Sequence, residues 1–172
     1  MVADFPLPKN ADPAKVARGV LEPTATSLFI KAKVLQYTGK NAESAKLFEQ
    51  LKKEYPWSPK LLEADLAIGI DLFQKKNYDE AVKYLGPVAR ATSVAVRIPA
   101  QAVMTLGYIS EARGDFDTAI NNYIKVGEFY GAVADLAAEG YWRGAQLQEK
   151  KARGEVKQMP QATPAPEKQG GK

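Results

Sequence analysis

The chain repeats itself at a fixed distance. Three times a small residue is followed twelve positions later by another: Ala32 and Ser44, Gly69 and Ala81, Gly107 and Ala119. Around each pair the same phrase returns, as LFIKAKVLQYTGKNAESAKLF, DLAIGIDLFQKKNYDEAVKYL and VMTLGYISEARGDFDTAINNY. A partial fourth copy, GYWRGAQLQEKK, puts Gly144 at the place of Gly107. Ala32, Gly69, Gly107 and Gly144 step by 37, 38 and 37 residues. A period in this range builds an array of supersecondary units, each burying its apolar face only against its neighbours.

The unit reads as a helix pair. Apolar residues recur at helical spacing and predict helices at about 24–38, 41–55, 60–76, 78–91, 99–114, 116–130 and 133–152. Before them, Asp12-Pro13 opens a short helix to about residue 20, which Glu22-Pro23 is expected to stop. The β-branched stretch 91–98 lies between helices and reads as a linker. Within each pair the two small residues are expected to meet at the helix crossing. Gly39 and Gly114 supply the left-handed residue that ends a first helix. Asn41, Asn77 and Asp115 stand where they can cap the second, and Tyr78 and Phe116 can close over the turn. Phe48, Leu85 and Tyr123, then Leu51, Val88 and Val126 three residues on, share one face of the second helices.

Composition narrows the chemistry. The 172 residues include no cysteine and no histidine, which removes thiolate metal sites, thiol nucleophiles, disulfides and histidine general bases, and no metal or cofactor is expected. The net charge is +4, and half of it sits in residues 153–172, so the body offers no basic stripe for nucleic acid. No apolar run approaches the ~20 residues that cross a bilayer. The start, MVADFPLPKNADP, lacks a basic stretch followed by an apolar one, so no signal peptide is expected there. As given the chain reads as cytoplasmic, or as periplasmic if a leader preceded it. Residues 153–172, rich in Pro, Gln and Lys, are expected to be a disordered tail. The organisation expected is an extension at 1–23, a repeat domain at 24–152 and this tail.

The order large apolar, small, turn glycine, aromatic, small, aromatic resembles the tetratricopeptide repeat. LGYISEARGDFDTAINNY (106–123) and IGIDLFQKKNYDEAVKYL (68–85) are close to that motif. The first copy keeps Gly39, Ser44, Phe48, Leu51 and Pro56 but has Lys31 where leucine is usual. The fourth keeps Gly144 and Leu147, has Arg143 at the leucine position and lacks a second helix. The family repeat is about 34 residues, so these are long variants, similar in spacing to those of bacterial cell-envelope members. The resemblance implies an all-α, right-handed superhelix of about three and a half hairpins, and a non-enzymatic scaffold that binds proteins.

In that family the first helices line a concave groove. Carried over by position, the groove set is Thr26, Phe29, Lys33, Gln36, Tyr37, Glu63, Leu66, Ile70, Phe73, Gln74, Gln101, Met104, Tyr108, Glu111, Tyr141, Ala145, Gln148 and Glu149. Its apolar and aromatic centre, with one cation, is Phe29, Lys33, Leu66, Ile70, Phe73, Met104, Tyr108 and Tyr141. Such a surface suits a peptide or an amphipathic helix of a protein partner. The alternative is a self-associating structural array whose groove is filled by its own N-terminal segment, and a second copy docking at Tyr141 and Trp142 is the further partner to weigh. Only Lys33 is basic at the positions where carboxylate clamps of this family carry Lys, Asn and Arg, which argues against that subtype. Asp65, at a position usually apolar, is expected to form a structural ion pair with a neighbouring hairpin rather than a catalytic one. Trp57 is expected to pack between hairpins.

Overall fold

The computed structural model describes residues 18–92 and 95–156. Among them are seven α-helices: α1 (Arg18–Tyr37), α2 (Asn41–Glu54), α3 (Leu61–Gln74), α4 (Tyr78–Arg90), α5 (Arg97–Ala112), α6 (Phe116–Phe129) and α7 (Ala134–Ala152). The fold is an all-α repeat solenoid. α1–α2, α3–α4 and α5–α6 form hairpins, α4 packs on α5 and α6 on α7, and α3 and α5, then α5 and α7, lie side by side. α1 joins the row of first helices through Gln36, whose amide donates to the Ala67 carbonyl of α3 at 3.3 Å.

The turns share one geometry. Gly39, Lys76 and Gly114 all have positive φ, at 77°, 60° and 74°. After each, the next backbone N–H reaches five residues back into the first helix: Lys40 to Leu35, Asn77 to Leu72 and Asp115 to Ser110, at 2.8–2.9 Å. α7 ends the same way, with Gly154 at φ 72° and Glu155 N–H on the Lys150 carbonyl. Val156 then packs against the α5–α6–α7 core, two residues past that turn, as Tyr78 and Phe116 stand two residues past theirs.

Three local expectations change. α1 runs unbroken through Pro23, so the stop at Glu22-Pro23 is not present. Of the three proposed caps only Asp115 acts, accepting from Thr118 N–H at 3.2 Å; Asn77 caps without a side-chain bond, and Asn41 is the first residue of α2, after Lys40. Leu85 and Tyr123 lie directly over Gly69 and Gly107: a Cβ on either glycine would lie 2.6 or 2.5 Å from those side chains. Val156, expected in the tail, packs on the core. The helix expected over 13–17 and the tail from 157 onward lie outside the described residues.

The core forms three contacting clusters along the array. Phe29, Phe48 and Leu51 anchor the first, with Trp57 packed against it as expected; Leu66, Leu85, Val88 and Ile109 anchor the second; Met104, Tyr123, Val126 and Leu147 the third. Asp65 is paired with Lys52 of the preceding hairpin at 2.7 Å, the structural role expected for it. The same lysine stands 4.6 Å from the Tyr84 ring, whose hydroxyl donates to Glu49.

Candidate functional site

The first helices enclose a cavity of about 590 Å³. Leu66, Ala67 and Ile70 of α3 contribute its apolar part, and Lys33, Gln36 and Tyr37 of α1, Glu63 and Gln74 of α3, and Arg97, Ile98 and Gln101 at the start of α5 line it too, with Gly39, Asn41 and Ala95. The helical turn of α3 places Glu63, Leu66, Ile70 and Gln74 on one stripe, because they follow one another by three or four residues. Eight residues of the predicted groove set are therefore brought together here: Lys33, Gln36, Tyr37, Glu63, Leu66, Ile70, Gln74 and Gln101. Arg97 was not in that set; it joins α5 to α7 by two bonds to Asp135, at 3.0 and 2.5 Å.

A second depression, about 570 Å³, is lined by Phe73, Tyr108, Glu111, Ala112 and Arg143. The Tyr108 ring is stacked on Phe73, with centroids 6.0 Å apart and planes 22° from parallel. The Arg143 guanidinium stands 4.7 Å from the same ring. Glu139 accepts from the Tyr108 hydroxyl at 2.7 Å and from Arg143 Nε at 3.0 Å, while Glu111 accepts from the Tyr123 hydroxyl at 2.5 Å and lies 3.7 Å from Arg143. Burial, then the bond to Glu139, pushes the Tyr108 phenol well above its ordinary value, and burial, then the bond to Glu111, does the same for Tyr123. Both tyrosines stay neutral donors, so the arrangement is a fixed aromatic shelf with a cation at its edge. Arg143 breaks the family pattern at its leucine position, and sequence spacing gave one sign of its role: Glu139 lies one turn before it.

Three residues of the predicted apolar and aromatic centre are placed elsewhere. Phe29 and Met104 are buried, 7% and 2% exposed, within the first and third core clusters, which leaves them facing protein rather than a groove. They share a register column with Leu66 and Tyr141, at three residues before Ala32, Gly107, Gly69 and Gly144. Leu66 is also buried, at the groove floor, whereas Tyr141 is 51% exposed and lies over Gly127 of α6, away from both depressions. The column is buried in the first three repeats, and the fourth has no second helix among the described residues to cover it.

No cluster of three or more metal-ligating side chains occurs among the described residues, and no described helix is long and apolar enough to cross a membrane. Residues 26–57 match the family model of the tetratricopeptide repeat. Neither the comparison with curated proteins nor that with solved structures gave a match.

Proposed function

We propose that this chain, a tetratricopeptide-repeat protein of a family that generally serves protein–protein interaction, holds a peptide or amphipathic helix of a protein partner in the groove of its first helices. The observation that carries the reading is the convergence of Lys33, Leu66, Ile70 and Gln101 from three successive hairpins on one cavity. Leu66 and Ile70 offer apolar contact, the amides of Gln36, Gln74 and Gln101 both donate and accept, and Lys33 and Glu63 set charge at the margin. Phe73 and Tyr108 offer a flat aromatic shelf for a second anchor. The family is typically a non-enzymatic scaffold, and two carboxylates of the first helices are engaged in structure: Asp71 with Lys75, Glu139 with Tyr108 and Arg143.

Peptides selected from a display library on the wild-type chain test this. Amide chemical-shift mapping should place them on α1, α3 and α5 around Lys33, Ile70 and Gln101, and Ile70→Asp should weaken them roughly tenfold or more while circular dichroism shows the helical fold retained. Shifts centred on α2, α4 and α6 would overturn the reading.

A further inference from the structure

Successive hairpins are not fastened equally. α2 meets α3 far less extensively than α4 meets α5 or α6 meets α7, and α1 touches α3 less than α3 touches α5 or α5 touches α7.

The difference lies at the turn edge of the array, where first helices end and second helices begin. Arg113, the C-cap of α5, pairs with Asp79 in the first turn of α4 at 2.6 Å. Lys151 in the last turn of α7 pairs in the same way with Asp117 in the first turn of α6. Asp79 and Asp117 each stand three residues past the positive-φ residue of their turn, and in α2 that position is Ala42. Lys75, one residue before its turn residue as Arg113 is before Gly114, reaches back to Asp71 of its own helix at 2.6 Å. Among the described residues no ion pair joins α3 to the first turn of α2.

Packing changes at the same edge. Ile109, two residues past Gly107, is buried in the cluster of Leu85 and Val88. Its counterpart two residues past Gly69 is Asp71, which shares a cavity with the polar side chains of Gln36, Asn41 and Ser44. Leu72 reaches the first core cluster only as a half-buried neighbour that it shares with the second. Exposed ion pairs are weak singly, so this exchange of apolar for polar contact is the larger part of the difference.

The opposite edge is pinned. There Lys52 of α2 pairs with Asp65 of α3 at 2.7 Å, and Glu49 of α2 accepts from the Tyr84 hydroxyl of α4. Ala64 and Ile68 pack with Phe48 and Leu51, and the connector from α2 to α3 sets Tyr55 edge-on to Trp57. Farther along the array α5 and α7 are tied three times, by Arg97 to Asp135, Tyr108 to Glu139 and Arg143 to Glu111. Among the described residues α1 and α3 share a single hydrogen bond, from Gln36 to the Ala67 carbonyl.

We propose that α1 and α2 swing as one rigid hairpin about this pinned edge, with larger amplitude than any junction within α3–α7. A joint held along one edge, and polar and unpaired along the other, rotates without breaking an apolar contact. The swing carries Lys33, Gln36 and Tyr37 towards and away from Leu66 and Ile70, and so sets the width of the cavity between them. It holds whether or not that cavity takes a peptide.

Residual dipolar couplings of the backbone amides, measured on the full chain in two alignment media, test the proposal, because they average over the microsecond-to-millisecond range of hinge motions. Couplings from α1 and α2 should fit one rigid hairpin whose overall order is lower than that of α3–α6. α7, at the other end, should keep the order of the body. An Ala42→Asp/Asp71→Ile variant supplies the carboxylate and the apolar residue of the later repeats, and should raise the order of α1–α2 to that of the body. Circular dichroism checks that this variant is folded, and the wild-type comparison decides alone if it is not. Equal order throughout the wild-type chain would overturn the proposal. So would an equal loss at α1–α2 and at α7, which would mark fraying of both ends, or couplings from α1 and α2 that fit no common body. An unchanged order in the folded variant would overturn the assignment of the hinge to this edge.

Discussion

Tyr123 occupies the space that a side chain on Gly107 would need, since a Cβ there would lie 2.5 Å from the tyrosine ring. The ring has no room to withdraw: Tyr123 is fully buried and its hydroxyl is tied to Glu111. Gly107→Ala, which in an open helix would stabilise, should therefore destabilise by about 1–3 kcal/mol in urea unfolding. Gly140→Ala should cost at least as much, because its Cβ would meet the Tyr123 backbone carbonyl at 2.5 Å, and a backbone yields less than a ring.

Tyr123 also predicts the alkaline limit of the fold. Its phenol is held above the ordinary tyrosine range in the folded chain and ionises near pH 10 in the unfolded one. The unfolded state then binds fewer protons than the native, so the stabilisation is intact below about pH 10 and is lost as pH rises above it, by about 1.4 kcal/mol per unit for this residue. Urea midpoints measured from pH 8 to 11 should fall more gently in Tyr123→Phe than in the wild type. Tyr84, raised to about 12 by its bond to Glu49, and Tyr108 add to the same trend, and phenolate absorbance should show a late-titrating fraction of the eight tyrosines.

Lys76 takes the left-handed conformation that glycine takes in the turns at Gly39 and Gly114. A side chain there strains the backbone, so Lys76→Gly should raise stability by about 1 kcal/mol. Chemical denaturation would read the gain, and a loss would mean that the lysine side chain contributes something the turn geometry does not reveal.

Asp115 and Asn77 stand at equivalent N-termini, but the aspartate alone accepts a capping bond from its helix. Asp115→Ala should cost about 1 kcal/mol, and Asn77→Ala clearly less. Thermal melts of the two variants side by side provide the comparison.

The hairpins were legible because the twelve-residue spacing records a local event, one turn between two helices, and local events leave their residue types in order. The groove was legible in part for the same reason: Leu66, Ile70 and Gln74 follow the helical repeat of α3. Phe29 and Met104 were assigned to the groove because large apolar residues suit both a core and an interface, and single-helix periodicity does not say which neighbour covers a face. The cap at Asn77 failed because asparagine at the right position still has to point its oxygen at the helix. The remaining partners of Arg143 lay beyond reach for another reason: Tyr108 and Glu111 are more than thirty residues away, and only the packing of α7 beside α5 brings them together.

Each hairpin touches only those beside it, and no described contact ties the first helix to the last. An object connected in this way behaves mechanically as a leaf spring. A small rotation at every junction adds up to a large change in curvature while each individual interface stays close to its resting geometry. The spacing between successive first helices is therefore a compliant dimension, and under the proposed reading a partner segment would be gripped by elastic closure without breaking any single contact.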